Sequence, residues 1–553
     1  MAIPPRLAAA AAALALVISA AVAAPQAHAT ASAPAAVPIA GTGHATARSV
    51  TVSAAAADAR LPVRSGAATP LGRDGRPAGE SLASSPSTGS RPAPTPPNGG
   101  VNTATGAHAH AAVISPNGVS SNAATPKAAS PDTGLATVTS GVTQGGTGCS
   151  SCPTPDVTAA AGATELAETV NLQLQVTDKT GKTLCSVSLT NLVGALTALS
   201  GPRIQYDNAA KRFSIVVDSV PSSSTDVAVQ YLATSQTADA CGAWWVYSIV
   251  FSVSASYPLG ALLDYPYLGQ DSTSILSSTN NYAFGGSYLA SAAYSMPKSA
   301  AYAGTSFNVT TYSVAFSTAP VTVAGIPTAA TTNTYWIAAV PGTGYNLYTM
   351  PTNPAGAISL KSTVRAPFSA PTRKIIQPGT SQRLDPGDGR IDSAAVQDGT
   401  TLWFAQVVDD GGFPTVLYGA IGATSGTAET ALAFHDTVSD DFNPSIAVMP
   451  AGGGLDYVWV NWAYTDSSFG EATSDAVAGV APGDGVPDLA EVDLTLVSGS
   501  PTASNSSFGR YSSAAIDPAG TSSCPAGLTA LTAQEYFTSG GLWTTELART
   551  TFC

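Results

Sequence analysis

A strand-like run centred on an aromatic or branched residue recurs six times along this chain, at Phe213, Ile275, Trp336, Trp403, Trp459 and Leu531. The intervals are 62, 61, 67, 56 and 72 residues. Three of the runs share local character: YWIAA (335–339), LWFAQ (402–406) and VWVNW (458–462). Upstream of several stands a second matching run, in GPRIQYDNAAKR, DGRIDSAAVQDG, FNPSIAVMPAGG and GRYSSAAIDPAG. Each passes from a polar start through small or apolar residues to a turn. Two consecutive β-sandwiches would not give one persistent period. A unit of roughly 60 residues with about four strands, repeated six times, predicts an all-β fold, a six-bladed β-propeller.

The strand signals between these markers agree. Val170, Leu172, Leu174 and Val176 alternate with polar residues at the strand period of two, and TLCSVSL (183–189) follows a turn at Asp178–Gly181 as a hairpin partner. These strands precede the first repeat, and the expectation is that they complete the sheet containing Trp543–Phe552, closing the ring. One stretch, NLVGALTALS (191–200), reads as a short helix.

The N-terminus is of another kind. Arg6 precedes an apolar run from Leu7 to about Ala24, and small residues offer an exit at Ala27-His28-Ala29. That pattern predicts a secretory signal peptide over 1–29 and a secreted, extracellular protein with no membrane span after cleavage. Residues 30–148 are Ala, Pro, Ser, Thr and Gly with almost no aromatics; GSRPAPTPPNGG (89–100) is typical. Such a segment buries too little apolar surface to offset its ordering entropy and is expected to be a disordered stalk, with the propeller over 149–553.

Charge and residue counts narrow the chemistry. Up to Gly145 the net charge is +4 against a total of −13, which leaves −17 for the body. A body that acidic will not hold a nucleic-acid backbone. Four of the five histidines (His28, His44, His108, His110) precede the body, so a His-built metal site is excluded there, and a Ser-His-Asp triad would have to use His435. Six cysteines in an exported chain read as disulfides, with 15 pairings open. Cys185 and Cys241 flank the first repeat, and Cys524 and Cys553 belong to the last. The expected pairs are Cys185–Cys241, Cys524–Cys553 and, by elimination, Cys149–Cys152; a Cys152–Cys553 link is the alternative.

The runs GRYSSAAIDP (509–518), AQEY (533–536), WTT (543–545), DYPYLG (264–269) and NPSIAV (443–448) resemble those of bacterial secreted β-propeller proteins, mostly of unassigned function. TADACGAW (237–244) is similar to the Asp-box turn S/T-x-D-x-G-x-x-W of sialidase-like propellers, with its glycine one place late. The resemblance covers about 165–553 and implies a fold more than a function.

In a propeller the innermost strands line an axial channel and ligands sit at its mouth. The repeat sets Arg203, Arg390, Asn443 and Arg510 at the starts of inner strands, as candidate ligand-binding residues. Three guanidiniums there could clamp a carboxylate, sulfate or phosphate. The alternative is that each pairs with an aspartate such as Asp207, Asp392 or Asp517 and holds blades together. Sialidase-like enzymes use an arginine trio with a Tyr-Glu pair; here Glu535 and Tyr536 are adjacent and should face opposite ways on a strand. The F-R-I-P signature of that family is absent, PRIQ (202–205) standing in its place. Asp264, Asp271, Asp388, Asp392 and Glu535 supply carboxylates for glycoside hydrolysis, but spacing in sequence pairs none of them. PGDGVPDLAEVD (482–493) is similar to a calcium loop that lacks its upstream aspartates; no other cofactor is implied. The expectation is a monomeric recognition module for an anionic or carbohydrate group, a glycan or cell-surface component; the alternative is a carboxylate-based glycoside hydrolase.

Overall fold

The computed structural model describes residues 38–51, 134–145, 154–324, 331–353, 355–452, 455–482, 486, 494–500 and 508–553. The signal segment 1–29, most of the stalk, Cys149, Cys152 and most of the 482–493 loop lie outside the described residues.

The described residues form a β-propeller of seven four-stranded antiparallel blades. The inner strands, in order, are Thr158–Ala161, Leu199–Asp207, Leu262–Gln270, Ala319–Val323, Ala395–Asp398, Asp440–Gly452 and Ser513–Ile516. The six repeat markers all fall on second strands, those of blades 2 to 7. The expected count of six was one short. The strands of 158–188, expected to finish another sheet, are a complete blade of their own. The second strand of that blade, ELAETV, has Ala167 and Glu168 at its centre and no aromatic, so it carries no marker. Two short helices, Leu189–Val193 and Lys298–Ala301, sit between strands.

Inner strands are stitched to their neighbours. Ile204 N donates to Thr158 Oγ1 (3.1 Å), joining blades 1 and 2. Gln205 Nε2 donates to Gly269 O and Gln270 Nε2 to Tyr206 O, joining blades 2 and 3. Parallel bridges link Gln270 with Thr322 and Val321–Val323 with Ala395–Gln397. Ser512 Oγ donates to Asn443 O (2.8 Å), and Ala159 N to Ser513 Oγ (2.7 Å), which brings the last blade onto the first. The apolar core lies in layers between blades, each built round buried aromatics: Trp244 for blades 1 and 2, Trp403 and Trp462 for 5 and 6, Trp459 for 6 and 7.

Closure does pair the two ends of the chain, through a different strand from the one expected. Gly134–Thr143 runs antiparallel to Trp543–Thr551 as the outer strand of blade 7. Pro38–Thr51 lies between the outer strands of blades 2 and 3 and pairs with both. Both segments fall inside the range read as stalk. Their alternating Thr, Val and Ser were hidden by the bulk composition, and sheet edges satisfy their backbones. Two expected disulfides are present: Cys185–Cys241 staples blade 1 to blade 2, and Cys524–Cys553 ties the C-terminus to a loop of blade 7. Among the described residues no helix is long and apolar enough to cross a membrane.

Candidate functional site

In six blades a residue with left-handed backbone marks the start of the inner strand: Asp156 (φ 39°), Gly201 (62°), Tyr265 (53°), Ser317 (49°), Gly389 (81°) and Asn443 (51°). In blades 2, 3 and 6 it sits in a β-bulge. Such a kink breaks the ladder and re-aims the next side chains. It also corrects the register inferred from sequence. Arg203 stands two places after its left-handed residue, Arg390 one place after, and Asn443 is that residue itself. The three are not equivalent positions, because the repeat was aligned on composition and the bulges shift it.

The kinks nevertheless send several of these side chains to one place. Arg203 Nε donates to Pro266 O (3.0 Å) and Nη2 to Asp392 O (3.2 Å). Its guanidinium lies 3.5 Å from the ring centroid of Tyr511, 5.2 Å from Tyr265 and 5.6 Å from Tyr267. Tyr267 Oη donates to Ile391 O (2.7 Å), and Arg390 stacks on Tyr265 at 4.4 Å. Blade 2 thus touches the lead-in to blade 5, and blade 3 touches blades 5 and 7. Non-adjacent blades meet only across the axis, so this cluster plugs the strand-start end of the channel. Gly201 has no room for a Cβ, which would run into Pro266 and the Tyr511 hydroxyl.

The other expected residues buttress the plug. Arg390 pairs with Asp388 through Nε and Nη2. Arg510 Nη2 donates to Asp385 Oδ2 (2.7 Å), and its N–H to Asp156 Oδ1 (3.0 Å). Asn443 Nδ2 donates to Gly509 O (2.6 Å). Arg203 differs. Its bonds go to backbone carbonyls and its other contacts are rings, so among the described residues Nη1 has no acceptor.

Above the plug an axial cavity of about 170 Å³ is lined by residues of all seven inner strands and their lead-ins, among them Ala159, Leu268, Thr322, Val396, Ile446 and Ala515. Among the described residues that line it, Arg203 is the one charged residue, and none is Asp or Glu. Gln205 and Gln270 stand on the wall, and their side-chain carbonyl oxygens have no hydrogen-bond donor in the structure. Sequence reasoning found Arg203 but missed the three tyrosines and two glutamines. The doublet Tyr265-Pro-Tyr267 ahead of a strand was the available signal.

None of the carboxylates considered for hydrolysis is among the described residues lining the axial cavity, but Asp264, Asp388 and Asp392 all stand beside the plug tyrosines. Asp271 accepts from Thr273 N and Ser274 N in a turn of blade 3 (2.7 Å each). Asp388 is held by Arg390, and Asp392 receives the Tyr265 hydroxyl in the plug. Glu535 is buried beside Gly509 and Asp156, while Tyr536 neighbours Ser140 and Glu546, so the two face opposite ways as expected. His435 stacks on Tyr464 at 3.8 Å with Nε2 3.1 Å from Glu471, and the Ser439 hydroxyl donates to Asp441 instead (2.6 Å). Among the described residues no group of three or more His, Cys, Asp or Glu could hold a metal ion.

Buried carboxyls cluster between blades instead. Glu168 accepts from Val142 N of the closing strand (3.2 Å) and from Thr545 Oγ1, and burial pushes it up to about 7. Burial likewise pushes Asp218 and Asp441 to about 8 and Glu546 to about 7. Asp475 faces Glu546 across blades 6 and 7 and is also raised by burial. One proton between them makes the hydrogen bond that two carboxylates cannot.

No family model matches the chain, and no curated relative matches it. Solved structures overlap loosely. A Synechocystis apocarotenoid oxygenase mutant has a TM-score of 0.36 at 10% identity over 62% of this chain and 71% of its own. The GH93 alpha-L-arabinofuranosidase of Fusarium graminearum has 0.33 at 10% over 71% and 92%. The alpha-L-arabinanase of Penicillium chrysogenum has 0.29 at 10% over 64% and 92%. At that overlap no residue role carries across.

Proposed function

We propose that this is an exported recognition module whose axial cavity takes a small carboxylated sugar, or the terminal acidic residue of a glycan. The observation behind this reading is Arg203: among the described residues it is the one charge in the cavity lining, and its Nη1 has no acceptor among them. A carboxylate there gains a charge-assisted hydrogen bond in a site with little water to compete. Small apolar walls suit a sugar ring face. The cavity is close to the ~150 Å³ that encloses a benzene-sized ligand, which limits the occupant to about one ring. The body's −17 also disfavours a long acidic polymer.

Glycoside cleavage needs paired carboxyls, and no described residue of the cavity lining is Asp or Glu, which favours recognition over hydrolysis there. Calorimetric titration with methyl glucuronide and methyl glucoside tests the reading. The acidic sugar should bind more tightly, and Arg203→Met, which keeps the stem's volume, should weaken it by about 1.5–3 kcal/mol. Equal binding of the two sugars, or no effect of the substitution, refutes the proposal.

A further inference from the structure

The face on which the inner strands begin differs from the opposite face in blades 1 to 3. The connections 189–198, 220–228, 252–261, 283–287 and 315–318 all reach it from these blades. Four of them contain no charged residue, and in the other Asp226 is taken up by Ser222 and Ser223. Each puts a large hydrophobic side chain into solvent: Leu196, Val227, Val253 with Leu259, Phe284 and Phe316. Leu196 is 100% exposed, Val253 61% and Phe284 52%. Among the described residues, every exposed large hydrophobic side chain except Leu184 lies in a connection at this face or within two residues of one. The connections of the same blades at the opposite face carry Lys179, Lys182, Lys211, Asp239, Asp271 and Lys298. Toward the axis the apolar patch ends at the Arg390–Asp388 pair, where Arg390 stacks on Phe316.

Apolar side chains shown in solvent by several separate loops on one side mark a contact surface. Their chemistry points to hydrocarbon. Four of the six are aliphatic, where a sugar would want flat rings and polar partners. The chain's course points the same way. The strand Pro38–Thr51 begins at this face, with Pro38 paired to Tyr312, two residues before that strand ends there at Val314. The apolar run from Leu7 to about Ala24 ends 13 residues before Pro38. Thirteen residues reach at most about 45 Å, so a bilayer that holds the run has this edge of the body close to it. The charge of −17 beyond Gly145 gains nothing from anionic lipid, so the contact is apolar and insensitive to salt.

We propose that the strand-start face of blades 2 and 3 rests on a lipid bilayer, with Val253, Leu259 and Phe284 entering the headgroup region. The lining of the axial cavity extends to Asn208, Ala324 and Pro518, beyond the far ends of the inner strands, so the cavity is turned away from the bilayer.

Quenching by brominated acyl chains tests this on the full chain, mixed with phosphatidylcholine vesicles. Phe284→Trp adds a reporter on the patch, and Leu184→Trp adds one at an exposed hydrophobic site near the other face. Brominated lipid should cut the added fluorescence of Phe284→Trp by about half and leave that of Leu184→Trp unchanged, in about 0.1 M and about 1 M NaCl alike. Changing Val253 and Leu259 together to Asp should abolish the quenching of Phe284→Trp without lowering the unfolding midpoint, since both side chains are exposed. Equal quenching of the two reporters, quenching that needs phosphatidylglycerol or disappears in salt, or a chain that stays off the vesicles would overturn the proposal. So would a dimer in solution that shields Phe284→Trp from a water-soluble quencher, because the face would then be covered by a second copy.

Discussion

Asn443 is the residue at which backbone and side chain are most tightly tied. It holds φ at 51°, a conformation that costs most residues about 1–2 kcal/mol, and asparagine is among the few that tolerate it. Its amide donates to Gly509 O and its carbonyl accepts from Ser512 and Gln534, joining blades 6 and 7. Asn443→Ala should lose both the tolerance and the amide bond, about 2–3 kcal/mol in all. Asn443→Gly keeps the backbone freedom and should lose only about 1 kcal/mol. Denaturant unfolding of the two variants separates the terms, and equal losses would show that φ does not matter there. Sequence put Asn443 beside Arg203 and Arg390 as a ligand contact. What it holds is backbone, a role invisible without the bulge that places it.

Between elements, the buried carboxyls make stability depend on pH in an unusual direction. Glu168, Glu546, Asp218 and Asp441 all have folded values near 7 or 8, against 4.5 for an ordinary glutamate and 3.8 for an aspartate. Between those limits the fold holds protons that the open chain has released. Stability is therefore full below about pH 4 and falls as pH rises through 7 to 8, by about 1.4 kcal/mol per unit of displacement. Asp207, held below the ordinary value by Lys298 despite its burial, loses its contribution only in stronger acid and is constant across this window. The midpoint of thermal unfolding should fall from pH 5 to pH 8, and Asp475→Asn should flatten the fall. A midpoint that rises over that range would contradict the burial of these groups. The closing strand belongs to the same scale. Deleting 134–143 removes the ladder to Trp543–Thr551 and the Val142 bond to Glu168, and should lower the unfolding midpoint by many degrees. An unchanged midpoint would mean that the ring closes without it.

At the scale of the whole molecule, the fold was legible because the strand pattern repeats. Trp336, Trp403 and Trp459 announced the period, since each fills the layer between two blades, where a large side chain is needed. Blade 1 was not legible, because its layers are filled from neighbours such as Phe213 and Trp244 and its own second strand can stay small. The two early strands were hidden by their low-complexity surroundings. Of the site, Arg203 was readable as a cation at an inner-strand start. The tyrosines around it were not, because contacts across the axis join residues more than 120 positions apart and leave no local pattern. Above the closed plug lies the axial cavity, with Arg203 the one cation among its described lining residues. A crystal structure of the protein grown with saturating glucuronate tests this most directly. A uronate in the axial cavity, with its carboxylate within hydrogen-bond distance of Arg203 Nη1, is the expected result. A uronate bound elsewhere on the protein, with the cavity holding only water, would contradict it.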